Sequence, residues 1–388
     1  MNRSNYLIAL LVIISFASCL KSKDDIPKSP DPPKPPQHQT VFEWNKIADS
    51  AQASLSLFYY PAGRYYLKNN NATPNAGDDG WVQYWPTAHV LDVLVDGLVR
   101  TGTASYKTKM EDLLAGMYIK NGNRWVNHYY DDMEWMGLAS LRAFQATNDT
   151  RYTDVINVIW PDIKNGWSAD LDGGIWWNKD RGSKNACSNG PAAILGARLY
   201  KQFGNTADLD FAKQVYSWEK TKLYNATSGA VYDHIDKNGV IQSSPGWIFT
   251  YNQGTFLGAA YELYKITNDA AYLADAVKAA DYTISNLVTN GLLKSEGGGD
   301  GGLFKGIFVR YLAQLIIDGG LQADKRTSYI NFLKKNAETM WAKATNKQYS
   351  LFDASWETKP GAQTDLTVQL SGIMLVEAVN LLKKNGLM

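Results

Sequence analysis

The sequence predicts an all-α fold, an (α/α)6 barrel of six inner and six outer helices. Three observations carry this expectation. From Val41 onward, apolar residues recur at helical spacing. The helical segments alternate between two kinds, one amphipathic and charged, the other rich in Gly and Ala with few charges. The connections differ too. Those leading into the second kind are long and full of Gly, Trp and Asn, while returns such as Thr147-Asn-Asp-Thr150 and Thr267-Asn-Asp-Ala270 are short.

A helix that is apolar on every side belongs inside, between neighbours of its own ring and an outer ring. An open α-solenoid is also built of helix pairs, but loops elaborated at one end only favour a closed ring. The outer segments are Glu43–Tyr59, Tyr106–Ile119, Tyr152–Ile163, Ala207–Lys220, Ala271–Leu287 and Arg326–Ala344. The inner ones begin near Trp85, Asp131, Asn189, Asn252, Lys305 and Asp365.

Ahead of the barrel the chain reads differently. Arg3 and the apolar run Tyr6–Phe16 are too short for a stable span and suit a signal peptide. Ala17-Ser18-Cys19 resembles a bacterial lipobox in which Cys19 becomes the lipidated first residue, although Phe16 stands where Leu is usual. An ordinary signal peptide with an incidental cysteine is the alternative. Lys23-Asp24-Asp25 resembles the export signal of surface lipoproteins in Bacteroidetes. Residues 27–39 hold six prolines, an extended semi-rigid spacer. The expected organisation is a leader over 1–18, a lipidated cysteine and linker over 19–40, and the helical domain over 41–388. The expected location is the outer membrane, exposed at the cell surface.

Composition excludes several functions. Without Arg3 of the leader, the 39 basic residues become 38, against 38 acidic ones, which leaves no footprint for nucleic acid. The four histidines, at 38, 89, 128 and 234, have no partner at zinc-ligand spacing. Neither Asp78-Asp79 nor the Gly-rich loop at Asp300 has the spacing of a calcium loop. No metal or cofactor is expected. With Cys19 lipidated, Cys187 is alone and reads as a small buried apolar residue.

The chemistry gathers before the inner helices. In chain order these stretches carry Trp81 and Trp85; Asn127, Tyr130, Asp131 and Asp132; Asp172, Trp176 and Trp177; Tyr251, Asn252 and Gln253; and Phe304 with Lys305. Indoles, carboxylates and amides together suit a sugar, whose apolar faces rest on rings while its hydroxyls meet polar groups. Two readings stand for Asp131. With Glu134 three residues on, it has the spacing of a capping box and complements the helix dipole. Capping leaves Asp132 unexplained, however, and adjacent carboxyls match the pair that glycoside hydrolysis requires.

At these residues the chain resembles glycoside hydrolase family 76, bacterial endo-α-1,6-mannanases and their fungal relatives. The resemblance is carried by Tyr130-Asp-Asp-Met-Glu-Trp-Met-Gly-Leu-Ala139, Gly173-Gly-Ile-Trp-Trp177, Tyr251-Asn-Gln-Gly254 and Phe304-Lys-Gly-Ile307. It implies an (α/α)6 barrel that hydrolyses α-1,6-mannosidic bonds with retention, with Asp131 as nucleophile and Asp132 as acid/base. The implied partner is an α-mannan polysaccharide or oligosaccharide. Two alternatives remain at this point: a transglycosylase on the same barrel, and a mannan-binding lipoprotein without catalysis.

Overall fold

The structure is a computed structural model that describes residues 42–60, 67–71 and 84–388. The leader, Cys19, the linker, Asp78-Asp79 and Trp81 lie outside the described residues. Among those described are twelve α-helices. The odd-numbered ones are α1 (Trp44–Ser54), α3 (Ser105–Lys120), α5 (Thr150–Asn165), α7 (Thr206–Lys222), α9 (Ala270–Asn286) and α11 (Ala323–Lys343). The even-numbered ones are α2 (Tyr84–Thr101), α4 (Tyr130–Thr147), α6 (Ala186–Phe203), α8 (Thr250–Thr267), α10 (Gly301–Asp318) and α12 (Leu366–Lys384).

The odd helices bury one stripe. In α5 it is Tyr152, Val155, Ile156, Ile159, Trp160 and Ile163, the three-and-four spacing of a surface helix. The even helices are buried nearly all round, as α12 is from Leu366 to Asn380. They touch in the order α2, α4, α6, α8, α10, α12, and α12 returns to α2. The ring is therefore closed, and the open solenoid is excluded. Small residues allow the close approach: a Cβ on Gly254 of α8 would lie 2.7 Å from Phe308 Cα of α10. The first outer segment departs slightly from expectation, because its α-helix stops at Ser54 and Leu55–Tyr59 continue as a π-helical turn.

Each short return has a local cause. Asn148 and Asn268 take left-handed backbone at φ 58° and 57°, which ends α4 and α8. The next residue, Asp149 or Asp269, accepts a hydrogen bond from the second backbone N–H of the following helix. Gly204 and Asn205 do the same between α6 and α7. At the opposite end the loops are long and are pinned by amides of the inner helices. Asn189 of α6 binds the backbone of Ile175, Gln253 of α8 binds Val231, Gly229 and Ala279, and Gln369 of α12 binds Phe352 and Ser350. The short strands β1 (Ser183–Asn185) and β2 (His234–Asp236) pair antiparallel and join the loop before α6 to the loop before α8.

Candidate active site

Where the inner helices begin, the pinned loops enclose a cleft of about 1020 Å³. Its floor is the first turn of α4. Tyr129, the residue preceding that helix, bridges to Asn178, and the Tyr130 amide donates to the Trp177 carbonyl at 3.0 Å. This stitching lays the Trp177 indole over Asp131. Asp131 Oδ2 accepts from Trp177 Nε1 at 3.3 Å and from Cys187 Sγ at 3.5 Å, while its Oδ1 is buried without a partner among the described residues.

Capping is therefore not the role of Asp131. The N-cap of α4 is Tyr129, without a side-chain cap, and Glu134 is fully buried with both oxygens unpartnered. The sequence placed the helix start correctly to within a residue, but Asp131 falls inside the first turn.

The two carboxyls are held differently. Burial raises Asp131 to about 7, against the pull of its thiol and indole donors. Asp132 accepts no hydrogen bond from the described residues. Burial, then the charges of Asp131 and Asp300, push it well above the carboxylate range. Opposed environments of this kind separate an acid from a base.

Aromatic walls flank the pair. On one side Tyr251 and Phe304 stack with centroids 3.9 Å apart and planes 7° apart, extended by Phe249. Trp85 stands beside Phe304, and its Nε1 donates to Asp300 Oδ1 at 3.2 Å. On the other side Trp177 leans on Tyr129 at 5.0 Å, and Trp247 lies exposed against His234. Asp233 is oriented by Asn252 Nδ2 at 2.9 Å and His234 Nδ1 at 2.8 Å. Ring faces with a few fixed polar groups make a carbohydrate cleft.

Of the residues expected at a site, the cleft gathers Asp131, Asp132, Trp85, Asn127, Trp177, Tyr251 and Phe304. Six others stand elsewhere. Tyr130 is buried under the Lys179 ammonium, and Trp176 points into the core, its Nε1 on Ser168 Oγ and its ring under Lys184. Asn252 and Gln253 are buried and act on the cleft only by holding Asp233 and the 229–231 backbone. Lys305 is buried with its ammonium on the Ala354 carbonyl and over Trp356, and burial lowers it to about 7. Asp172 is exposed and paired to Lys222 at 2.7 Å. Trp81 lies outside the described residues.

The cleft also holds residues that the sequence reading left out. Asp233 and His234 arrive just before and at the start of β2, whose three residues carry no pattern strong enough to place them. Cys187 is buried as expected, but its sulfur faces Asp131 and not the apolar core.

The sequence profile of glycosyl hydrolase family 76 matches residues 46–387. The α-1,6-mannanase GH76A of Salegentibacter sp. HEL1_6 shares 42% identity with this chain at a TM-score of 0.83, over 88% of this chain and 100% of that one. An inactive variant of that enzyme, with two consecutive aspartates replaced by asparagine, is similar to the same extent and was solved with α-1,6-mannotriose. A mannan endo-1,6-α-mannosidase of Saccharomyces cerevisiae is 26% identical over 243 residues, 56% of this chain and 53% of that protein. The chain thus spans about half the length of this curated relative. With the profile matched from Lys46 to Leu387, the chain belongs to glycosyl hydrolase family 76.

Proposed function

We propose that this chain is a retaining endo-α-1,6-mannanase acting on the backbone of yeast-type mannan. The observation that carries the reading is the unequal setting of two adjacent carboxyls on the cleft floor. Asp131 has donors and is the one to ionise. Asp132 faces two carboxylates with no donor and keeps its proton. Asp131 then attacks the anomeric carbon while Asp132 gives its proton to the glycosidic oxygen, so the C–O bond breaks and the leaving chain departs as an alcohol. Asp132, now a carboxylate, takes a proton from water, and the hydroxide oxygen displaces Asp131. Both proton movements and both displacements are supplied by these two side chains. The reading is supported by the mannanase of Salegentibacter, whose inactive variant lacks two consecutive aspartates.

The substrate test is incubation with unbranched α-1,6-mannan and sizing of the products. Short oligomannosides, first released in the α configuration by NMR, are expected. Intact polymer would sink the proposal, and transfer to an added mannoside in place of water would assign transglycosylation. We further propose that residues 1–18 are a lipoprotein leader, that Cys19 carries the lipid and that 19–40 tether the catalytic domain 41–388 outside the cell. Cys19→Ala should then abolish incorporation of labelled fatty acid.

A further inference from the structure

We propose that Cys187 is a positioning residue for Asp131, a deliberately weak donor that fixes the orientation of the carboxylate while leaving it nucleophilic. The inference rests on Asp131 being the nucleophile. Cys187 is the second residue of α6, and that helix start is rigid. The Ala186 amide donates to the Asp233 carbonyl at 2.8 Å, and β1 runs directly into the helix from its pairing with β2. The sulfur is therefore aimed by the scaffold. It donates to the same Oδ2 that Trp177 Nε1 reaches.

A strong donor on a carboxylate lowers both its pKa and its basicity. A thiol is a weak donor, and this one stays protonated because burial, then the charges of Asp131 and Asp233, push its pKa up. Orientation thus comes at little cost in nucleophilicity. The other titratable groups around the acid pair are Asp132 and Glu134 on α4, Asp233 with His234 at β2, Tyr251 on α8, and Asp300 before α10 acting on Asp132, with Glu219 of α7 behind Glu134. Of these, Tyr251 is the one that the Cys187 sulfur also acts on, after burial.

The experiment compares the kcat/KM–pH profiles of the parent, Cys187→Ser and Cys187→Ala on an α-1,6-mannan oligosaccharide. The stronger hydroxyl donor should move the acidic limb down by about half a pH unit, and loss of the donor should move it up by a similar amount. Packing alone would not move the two in opposite directions, so unmoved limbs, or shifts of one sign, overturn the proposal. A second measurement needs no activity. Cys187 alkylation, read from its peptide by mass, should run faster in Asp131→Asn because the charge opposing thiolate formation is gone, and an unchanged rate would count against the contact. If Asp131→Asn still cleaves mannan, the nucleophile reading fails. If it is inactive while the limbs stay put, the thiol proposal fails alone.

Discussion

At the end of the inner ring where helices begin, Asp131 and Asp132 make no ion pair among the described residues. From the middle of the inner helices toward the end where they stop, Asp92 and Asp96 of α2 share Arg142 of α4 and Arg310 of α10, with Arg310 Nε 2.8 Å from Asp92 and Nη2 2.7 Å from Asp96. Glu262 and Glu377 are likewise held by Arg198 and Arg100. Burial pushes Asp92 up as it does Asp131, but at Asp92 the two arginines outweigh it and the group falls to about 2. Between the two ends lies His89, buried against Trp135 at 4.8 Å with both ring nitrogens unpartnered, and burial lowers it to about 3. It packs beside Asp92 and Arg310 as an uncharged ring. Desolvation is common to both ends. Counter-charge decides whether a buried acid becomes a strut or keeps a movable proton.

The sharpest way to break this contrast is to remove the acids themselves. Asp131→Asn or Asp132→Asn should lower mannan turnover by about a thousandfold or more, with the melting temperature held or raised because an unpaired buried acid is gone. Full activity in either variant would end the comparison. At the other end Arg310→Met should cost about 3–5 kcal/mol in urea unfolding, while turnover per folded molecule stays near the parent's. Loss of catalysis without loss of stability there would show the two ends to be coupled.

The pH dependence of stability should differ in sign between the ends. Asp92 is lower in the folded state than unfolded, so its stabilisation is present above about pH 4 and is lost as pH falls toward its folded value of about 2. Asp131 is higher in the folded state, so the folded form holds a proton that the unfolded form has released. Stability then falls as pH rises from about 4 to about 7. Melting temperature should therefore rise on acidification from pH 8 to pH 5, and by less in Asp131→Asn. The smallest effect is expected for Asp172→Ala. That acid is exposed with a surface partner, so kcat/KM should stay within about twofold.

Much of this was readable from residues alone. Helix spacing located both rings, the Asn-Asp returns follow from local backbone chemistry, and Asp132 stood out because capping had no use for it. What escaped was direction. Trp176 and Trp177 are identical in type, and only the bridge from Tyr129 to Asn178 turns one indole to the cleft and the other to the core. Asn252, Gln253 and Lys305 look like ligand groups because loop-pinning and substrate binding draw on the same polar side chains. Asp233 reaches Asp131's neighbourhood through a strand pairing about fifty residues apart in sequence, and no local pattern encodes that.

The barrel's far rim has a practical consequence. Asn45, at the start of α1, lines a cavity there together with Lys383 and Lys384 at the end of α12, and Asn380 Nδ2 donates to the Trp44 carbonyl at 2.9 Å. Both ends of the folded domain therefore emerge opposite the cleft. A bead, electrode or fusion partner joined at the end of α12 would present the catalytic mouth outward, open to a polymer too large to diffuse behind the protein.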